Sequence, residues 1–97
     1  MLASALLGEQ GSRLNSLEIT LAIRMGLQRG TLPRGPSSRI EGEYGARARC
    51  AGCGEGITSA QASYTVDFVP GVTPASARFH RQCFQIWQAE CAVAPQR

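Results

Sequence analysis

Two short residue pairs constrain the fold of this chain more than any other feature. The first pair is Cys50-x-x-Cys53 and the second is His80-x-x-Cys83, with 26 residues between them. Pairs of thiolates and imidazoles at this spacing are the usual ligands of a tetrahedral Zn²⁺ ion, because each pair supplies two ligands from one tight turn or one helical turn. The sequence therefore predicts one zinc site, whose ligands are Cys50, Cys53, His80 and Cys83.

The predicted zinc site is structural rather than catalytic. Three thiolates and one imidazole fill all four tetrahedral positions and leave none for water or substrate. Gly52 and Gly54 allow the first pair to curl with its backbone amides towards sulfur, because glycine adopts positive φ without steric cost. His80 and Cys83 lie at the predicted start of a helix, so both face the ion. We expect one Zn²⁺ per chain, and a C-terminal half that is unfolded or molten without it.

Two other uses of the four cysteines stay open at this stage. A disulfide framework would require a secreted chain. A secretion signal has basic residues before its apolar run, whereas the apolar run of residues 2–7 has none. A redox Cys-x-x-Cys pair normally opens a helix, whereas Gly54-Glu55-Gly56 follows this one. We interpret Cys91 as a small apolar residue on a helix face, with substitution for His80 as its alternative role.

Aromatic residues and cysteines are unevenly distributed along the 97-residue chain. All six aromatic residues and all four cysteines lie after residue 43. Residues 30–38 are rich in Gly, Pro and Ser, which block helix continuation and add no core, so we interpret them as a linker or extended connection. The sequence thus predicts an N-terminal helical arm with its linker over residues 1–43 and a zinc-finger domain over residues 44–97.

Two periodicities compete between residues 14 and 27 of this arm. Apolar residues alternate along residues 17–27, which is typical of a strand. A helical face competes with this alternation, formed by Leu14, Leu17, Leu21 and Met25. A helix is favoured because Ser12 or Asn15 can cap its N-terminus, and Gly26 or Gly30 can end it.

The C-terminal half has a clearer pattern. Residues 62–69 alternate and are followed by Pro70-Gly71, which predicts a strand entering a turn, with a partner strand over residues 75–79. From His80 onwards the spacing is helical, with one face formed by Phe84, Trp87 and Cys91. A cysteine knuckle, a hairpin and a helix that carries the last two ligands follow each other in treble-clef order. We expect a small α+β zinc-binding domain, treble-clef-like, preceded by an aliphatic helical arm.

The charged residues fit a binding protein better than an enzyme. Ten arginines and no lysine stand against seven acidic residues, which gives a net charge of +3. Four arginines next to the zinc ligands can either offset the negative zinc–thiolate cluster or contact nucleic-acid phosphates: Arg47, Arg49, Arg78 and Arg81. No enzyme and no small-molecule substrate are expected, because the single histidine is a ligand and the carboxylates form no evident pair.

Residues 43–87 resemble the poly(ADP-ribose) polymerase-type zinc finger. The resemblance lies in an R-A-x-C-x-x-C-x-x-x-I opening from Arg47 to Ile57 and an H-x-x-C-F close from His80 to Phe84. It implies a zinc site of three cysteines and one histidine and, as in eukaryotic members, recognition of DNA ends or breaks, with Arg47 as the phosphate contact. The same residues resemble the first zinc half of a LIM domain, which implies protein binding, although Ile86 stands where its second metal pair would begin.

Three hypotheses for the function follow from these patterns. The first is contact with nucleic acid through the four arginines. The second is a protein-interaction adaptor, in which residues 14–27 dock on a partner protein or form a homodimer. The third is a redox-responsive or zinc-responsive switch, since oxidised thiolates release zinc. No apolar stretch approaches a membrane span, so we expect no membrane contact and a cytoplasmic location.

Overall fold

The computed structural model describes residues 14–45 and 47–93, which form two helices and a three-stranded antiparallel sheet. The elements in chain order are α1 (Ser16–Arg29), β1 (Ser37–Tyr44), β2 (Ala62–Phe68), β3 (Ser76–His80) and α2 (Arg81–Ala92). The predicted α+β class is confirmed. Within these described ranges neither helix has the length and apolarity that crossing a membrane requires. The apolar run of residues 2–7 and the alternative cap Ser12 lie outside the described residues.

Helix α1 begins and ends where local chemistry favours it. The Asn15 side chain accepts a hydrogen bond from the Glu18 N–H at 2.8 Å, and Glu18 Oε1 accepts from the Asn15 N–H at 3.0 Å. This reciprocal pair is a capping box. Gly30 ends the helix at φ 81°, in the left-handed region that glycine adopts without strain. The helix predicted for this segment is confirmed, and the alternative of a strand is wrong.

The face of α1 that packs on the core lies opposite most of the helical face that the sequence singled out. Ile19 and Ile23 are fully buried, whereas Leu17, Leu21 and Met25 are 66%, 49% and 46% exposed. Leu14 precedes the helix and is half-buried against the core, so it does not share the exposure of the other three. We call Leu17, Leu21 and Met25 the outer stripe.

The sheet contains the predicted hairpin and one strand that the sequence did not predict. Strands β2 and β3 pair through Tyr64 opposite Phe79 and Val66 opposite Ala77, within one residue of the predicted strand limits. Strand β1 pairs with the other side of β2, from Ser37 to Tyr44. It is exposed along its whole length, because it is an edge strand and neither helix packs on it. Without a buried face it has no apolar alternation to reveal it.

The core lies between α2, the inner face of the sheet and α1. Phe79 is fully buried and stacks on Trp87 with 5.3 Å between ring centroids, and Tyr64 stacks on Phe84 at 4.4 Å. Trp87 Nε1 donates a hydrogen bond to the Pro33 carbonyl at 2.9 Å. The same buried cluster includes residues from the predicted arm and linker, namely Ile19, Ile23 and Leu32.

The predicted boundary near residue 43 falls inside β1. Residues on both sides of it therefore share one sheet and one core. The division into separate folding units over residues 1–43 and 44–97 stays a prediction.

Candidate metal centre

The first ligand pair lies at the tip of a short hairpin. Arg49 and Gly56 form an antiparallel bridge, and the Cys50 N–H donates to the Glu55 carbonyl at 2.8 Å. Gly54 closes the turn at φ 82°. A side chain at Gly54 would be strained in this left-handed conformation, as the sequence predicted for this glycine.

Gly52 is needed for a different reason from the one predicted. Its φ is not positive, so the prediction that Gly52 adopts a left-handed conformation is wrong. A Cβ added at Gly52 would lie 3.1 Å from the Cys83 Cβ and 3.2 Å from the Ile23 Cδ1. The absence of a side chain therefore allows the knuckle to contact both α2 and α1 closely.

The second ligand pair joins the end of β3 to the start of α2. His80 is the last residue of β3 and the N-cap residue of α2, and Cys83 follows within the first turn of the helix. Both side chains are fully buried. Because residues three apart on a helix point to the same side, the two groups converge on the knuckle.

The four predicted ligands come together. The Sγ atoms of Cys50, Cys53 and Cys83 and a ring nitrogen of His80 all lie within 4.8 Å of one another. His80 Nδ1 lies 3.5 Å from Cys53 Sγ and 3.9 Å from Cys83 Sγ. Ligand atoms around a tetrahedral zinc ion lie about 3.3–3.8 Å apart, given its bond lengths. The group is therefore compatible with one metal ion. All four cysteines are free thiols in this structure, which favours a metal site over the disulfide alternative.

Backbone N–H groups point at the sulfurs, as the sequence predicted for the knuckle. Cys50 Sγ accepts hydrogen bonds from the Gly52 N–H at 3.3 Å and from the His80 N–H at 3.4 Å. Cys53 Sγ accepts from the Glu55 N–H at 3.4 Å. Such bonds stabilise the charged thiolate, which is the form that binds metal.

The His80 ring is held from its far side by two oxygen acceptors. Its Nε2 lies 3.1 Å from the Gly56 carbonyl oxygen and 3.2 Å from Gln61 Oε1. The same Gln61 oxygen accepts from the Thr58 N–H at 2.8 Å, which fixes its orientation. With the ring hydrogen on Nε2, Nδ1 keeps the lone pair that a metal needs. The sequence did not indicate Gln61, because no ligand spacing rule applies to a loop residue that supports a ligand.

We expect Gln61→Leu to weaken zinc binding by about 10–100-fold, because loss of such a support frees the ligand ring. Gln61→Glu retains an acceptor oxygen, so zinc affinity should stay near that of the wild type. Gln85→Leu, which changes an exposed glutamine on α2, is the matched control. Competition with a zinc chelator measures affinity, and the ¹⁵N chemical shifts of His80 report which ring nitrogen binds. Equal affinities for Gln61→Leu and Gln85→Leu would contradict the supporting role.

Protons compete with a metal for this cluster. Burial lowers the pKa of His80, but the hydrogen bonds and negative charge of Cys50 and Cys53 raise it more, to about 10. Hydrogen bonds to Cys50 and Cys53, together with burial, raise the pKa of the Cys83 thiol above its ordinary value. At neutral pH the metal-free cluster therefore holds protons on His80 and Cys83. A divalent cation must displace both of them.

Zinc affinity is therefore expected to rise with pH. Both His80 and Cys83 have a raised pKa in the metal-free chain, so both are protonated below that pKa and must lose a proton on binding. Each released proton changes the apparent affinity about tenfold per pH unit. Titration calorimetry in two buffers with different protonation enthalpies counts the protons. An affinity that stays constant between about pH 6 and 8 would contradict this account.

The four arginines near the ligands have different surroundings. Arg78 Nε donates to Thr65 Oγ1 at 3.0 Å and lies 3.6 Å from Glu43 Oε2. Arg49 donates from its guanidinium to the Gly54 carbonyl and so braces the knuckle. Arg47, Arg49 and Arg81 are all exposed, and Arg78 alone of the four is half-buried. Two of the four predicted phosphate contacts are thus engaged within the chain.

Cys91 lies on α2 outside the four-residue group. It is half-buried and packs against the core, and burial raises the pKa of its thiol. This agrees with its interpretation as a small apolar residue.

No protein-family profile, curated protein or solved structure matches the chain. The resemblances to the poly(ADP-ribose) polymerase-type finger and to the LIM half therefore rest on the motif residues alone.

Proposed function

We propose that the chain is a non-enzymatic zinc-binding protein with one structural Zn²⁺ in a treble-clef-like unit. The observation that carries this proposal is the convergence of four ligand atoms within 4.8 Å of one another. Three sulfurs and one imidazole nitrogen complete a tetrahedral shell, which leaves no position for water or substrate. The ligands are Cys50, Cys53, His80 and Cys83.

In this proposal the zinc ion cross-links two parts of the chain. Cys50 and Cys53 belong to the knuckle, whereas His80 and Cys83 belong to the junction of β3 and α2. The Ala51 N–H also donates to a β3 carbonyl at 2.7 Å, so the knuckle already lies against the strand. Zinc contributes folding free energy directly at such a site, because the unfolded chain has no preformed set of ligands.

An enzymatic role is not part of the proposal. The only histidine of the sequence is a ligand, and the chain has no lysine. General acid–base chemistry would have to rely on tyrosines, the Cys91 thiol or carboxylates. Two of the carboxylates already have other roles, since Glu18 caps α1 and Glu90 pairs with Arg24 at 2.8 Å.

Metal content tests the zinc proposal directly. Native mass spectrometry of protein purified without added metal should show one zinc per chain, which a chelator removes. Co²⁺ in its place should give the intense d–d bands of a tetrahedral site and a thiolate charge-transfer band. A metal-free chain, lighter by two hydrogens for each disulfide, would overturn the proposal.

We propose a protein rather than a nucleic acid as the partner of this module. The specific observation is the outer stripe, where Leu17, Leu21 and Met25 remain about half or more exposed. Exposed apolar patches on small proteins commonly mark interaction surfaces. Arg78 lies beside the Glu43 carboxylate, which offsets the charge of one of the four arginines that the sequence suggested.

Nucleic-acid contact and redox switching remain predictions with separate tests. Nucleic-acid binding that falls steeply with salt, and that weakens in Arg47→Ala and Arg81→Ala, would support the first. Zinc release by mild peroxide, reversed by a thiol reductant, would support the second.

A further inference from the structure

The four residues of the candidate metal centre are not equally accessible to solvent. His80 and Cys83 are fully buried and Cys50 is 2% exposed, whereas Cys53 is only half-buried. A small oxidant in solution therefore reaches the group at Cys53. Oxidation-sensitive cysteines are typically solvent-accessible and lie next to a second cysteine that can react with the oxidised sulfur.

Cys53 has two cysteine neighbours of this kind. The sulfurs of Cys50 and Cys83 both lie within 4.8 Å of its own sulfur. Cys50 belongs to the same knuckle, where the Gly54 N–H donates to the Cys50 carbonyl at 2.9 Å. Cys83 belongs to α2, and its Cβ would be 3.1 Å from a Cβ at Gly52. A Cys50–Cys53 bond therefore needs movement within one turn, whereas a Cys53–Cys83 bond would join the knuckle to a closely packed helix.

Cys91 provides a comparison within the same chain. It is also half-buried, but it lies outside the group of converging ligand atoms. Burial raises the pKa of the Cys91 thiol, so it stays protonated at neutral pH, and the thiolate rather than the thiol is the reactive form. Of the four cysteines, only Cys53 is both partly exposed and a member of the candidate ligand group.

We propose that Cys53 is an oxidation site, at which hydrogen peroxide causes release of the structural zinc. This rests on the zinc site proposed above and describes its regulation. As zinc ligands, both knuckle sulfurs are thiolates. The Cys53 thiolate attacks one peroxide oxygen, the O–O bond breaks, and the leaving hydroxide takes a proton to become water. The product is a sulfenic acid on Cys53.

The Cys50 thiolate completes the oxidation. It attacks the Cys53 sulfur, so that an S–S bond forms, the S–O bond breaks, and the hydroxide leaves as a second water after taking a proton. In sum, two thiolates lose two electrons to form a disulfide, and one hydrogen peroxide with two protons becomes two waters.

Oxidation of the knuckle removes two of the four ligands. His80 and Cys83 alone do not complete the tetrahedral shell that holds zinc in a structural site, so the chain releases the ion. The cross-link between the knuckle and the β3–α2 junction is lost with it, and the packed core should loosen. A thiol reductant reduces the disulfide by exchange and restores both ligands, so the change is reversible.

Trapping of the sulfenic acid identifies the oxidised residue. Zinc-loaded wild type is treated with dilute hydrogen peroxide and dimedone, which reacts with sulfenic acids, and the adducts are located by peptide fragmentation. Dimedone should label Cys53 before the other three cysteines. First labelling at any of the other three would overturn the proposal.

Tryptic peptides identify the disulfide that forms without dimedone. Residues 50–78 form one peptide that contains Cys50 and Cys53, whereas Cys83 lies in the peptide of residues 82–97. The expected product is the first peptide alone, lighter by two hydrogens, and zinc release measured with a chromogenic chelator should follow its formation. An early cross-link between the two peptides would overturn the role of Cys50.

Cys53→His removes the oxidisable sulfur and keeps a zinc-binding side chain, since two cysteines and two histidines also form a structural zinc site. The zinc-loaded variant should retain its ion at a peroxide concentration that removes all zinc from the wild type. Cys91→Ser is the matched control, because it removes the other half-buried sulfur, and it should lose zinc at the wild-type rate. Zinc loss from Cys53→His as fast as from the wild type would contradict the proposal.

The zinc proposal and the oxidation proposal fail in different ways. Native mass spectrometry before any peroxide is added shows whether the chain holds zinc. A chain without zinc would reject the metal site itself. A chain with one zinc that is first oxidised at another cysteine would reject the oxidation site alone.

Discussion

Cys83→Ser is expected to abolish zinc binding and to unfold most of the chain. The residue is fully buried, and its sulfur is the one that α2 contributes to the candidate metal-binding group. A serine hydroxyl does not supply the thiolate that zinc needs at this position. Structural zinc contributes roughly 10–16 kcal/mol of apparent binding free energy in small fingers, while whole domains are stable by about 5–15 kcal/mol. Loss of the ion therefore removes a free energy comparable to the whole stability of a domain.

Metal content and the environment of the single tryptophan measure this effect. Trp87 is buried between aromatic rings, so its near-ultraviolet circular dichroism reports the packed core. Native mass spectrometry of Cys83→Ser should show no zinc, and the Trp87 signal should be lost. A chelator should produce the same spectrum from the wild type.

Cys91→Ser provides the matched control on the same helix. This half-buried thiol lies outside the ligand group, so the substitution should retain one zinc and cost about 1 kcal/mol or less. A Cys83→Ser variant that keeps one zinc and a native Trp87 spectrum would show that Cys83 is not an essential ligand.

The four residues that come together could be predicted from the sequence because the spacing within each pair is local chemistry. Two residues between Cys50 and Cys53, and two between His80 and Cys83, suffice to put each pair on one turn. The β2–β3 hairpin could also be predicted, because β2 has one buried face that leaves an alternating pattern in the sequence. Helix α1 was recognisable from its cap and its terminal glycine.

Features that depend on tertiary contact could not be predicted in this way. The sequence offers two apolar faces of α1 and no signal for which one packs on the core. The sequence pattern predicts that Gly52 is needed for its conformational freedom, whereas in the structure its lack of a side chain leaves space for Cys83 and Ile23. The partner of Arg78 depends on β1, because Glu43 lies on a strand that has no alternation of its own.

Helix α1 contacts the knuckle as well as α2. Ile23 lies so close to the knuckle that a Cβ at Gly52 would be 3.2 Å from its Cδ1. That same Cβ would be 3.1 Å from the Cys83 Cβ. An α1 residue, the knuckle and the candidate ligand Cys83 therefore meet in one packed contact, so we expect the arm and the metal centre to be coupled.

Ile23→Ala is expected to lower the free energy of unfolding by about 2–5 kcal/mol, because it removes three carbons from a fully buried side chain and leaves a cavity. It should also weaken zinc binding, since metal binding at such a site is coupled to folding. Urea unfolding of the zinc-loaded protein, followed by Trp87 fluorescence, measures the first effect. Chelator competition measures the second.

Leu21→Ala is the control on the same helix, because both substitutions place an alanine in α1 but only Ile23→Ala removes a side chain from the core. It removes a similar aliphatic side chain from the exposed outer stripe, so in dilute monomer its cost should stay within about 0.5 kcal/mol. If residues 1–43 were an independent arm, Ile23→Ala would behave like Leu21→Ala and would leave Trp87 fluorescence and zinc affinity unchanged. A difference between the two variants in both measurements would instead mean that α1 and the zinc half unfold as one cooperative unit, because only Ile23 faces the knuckle and the core.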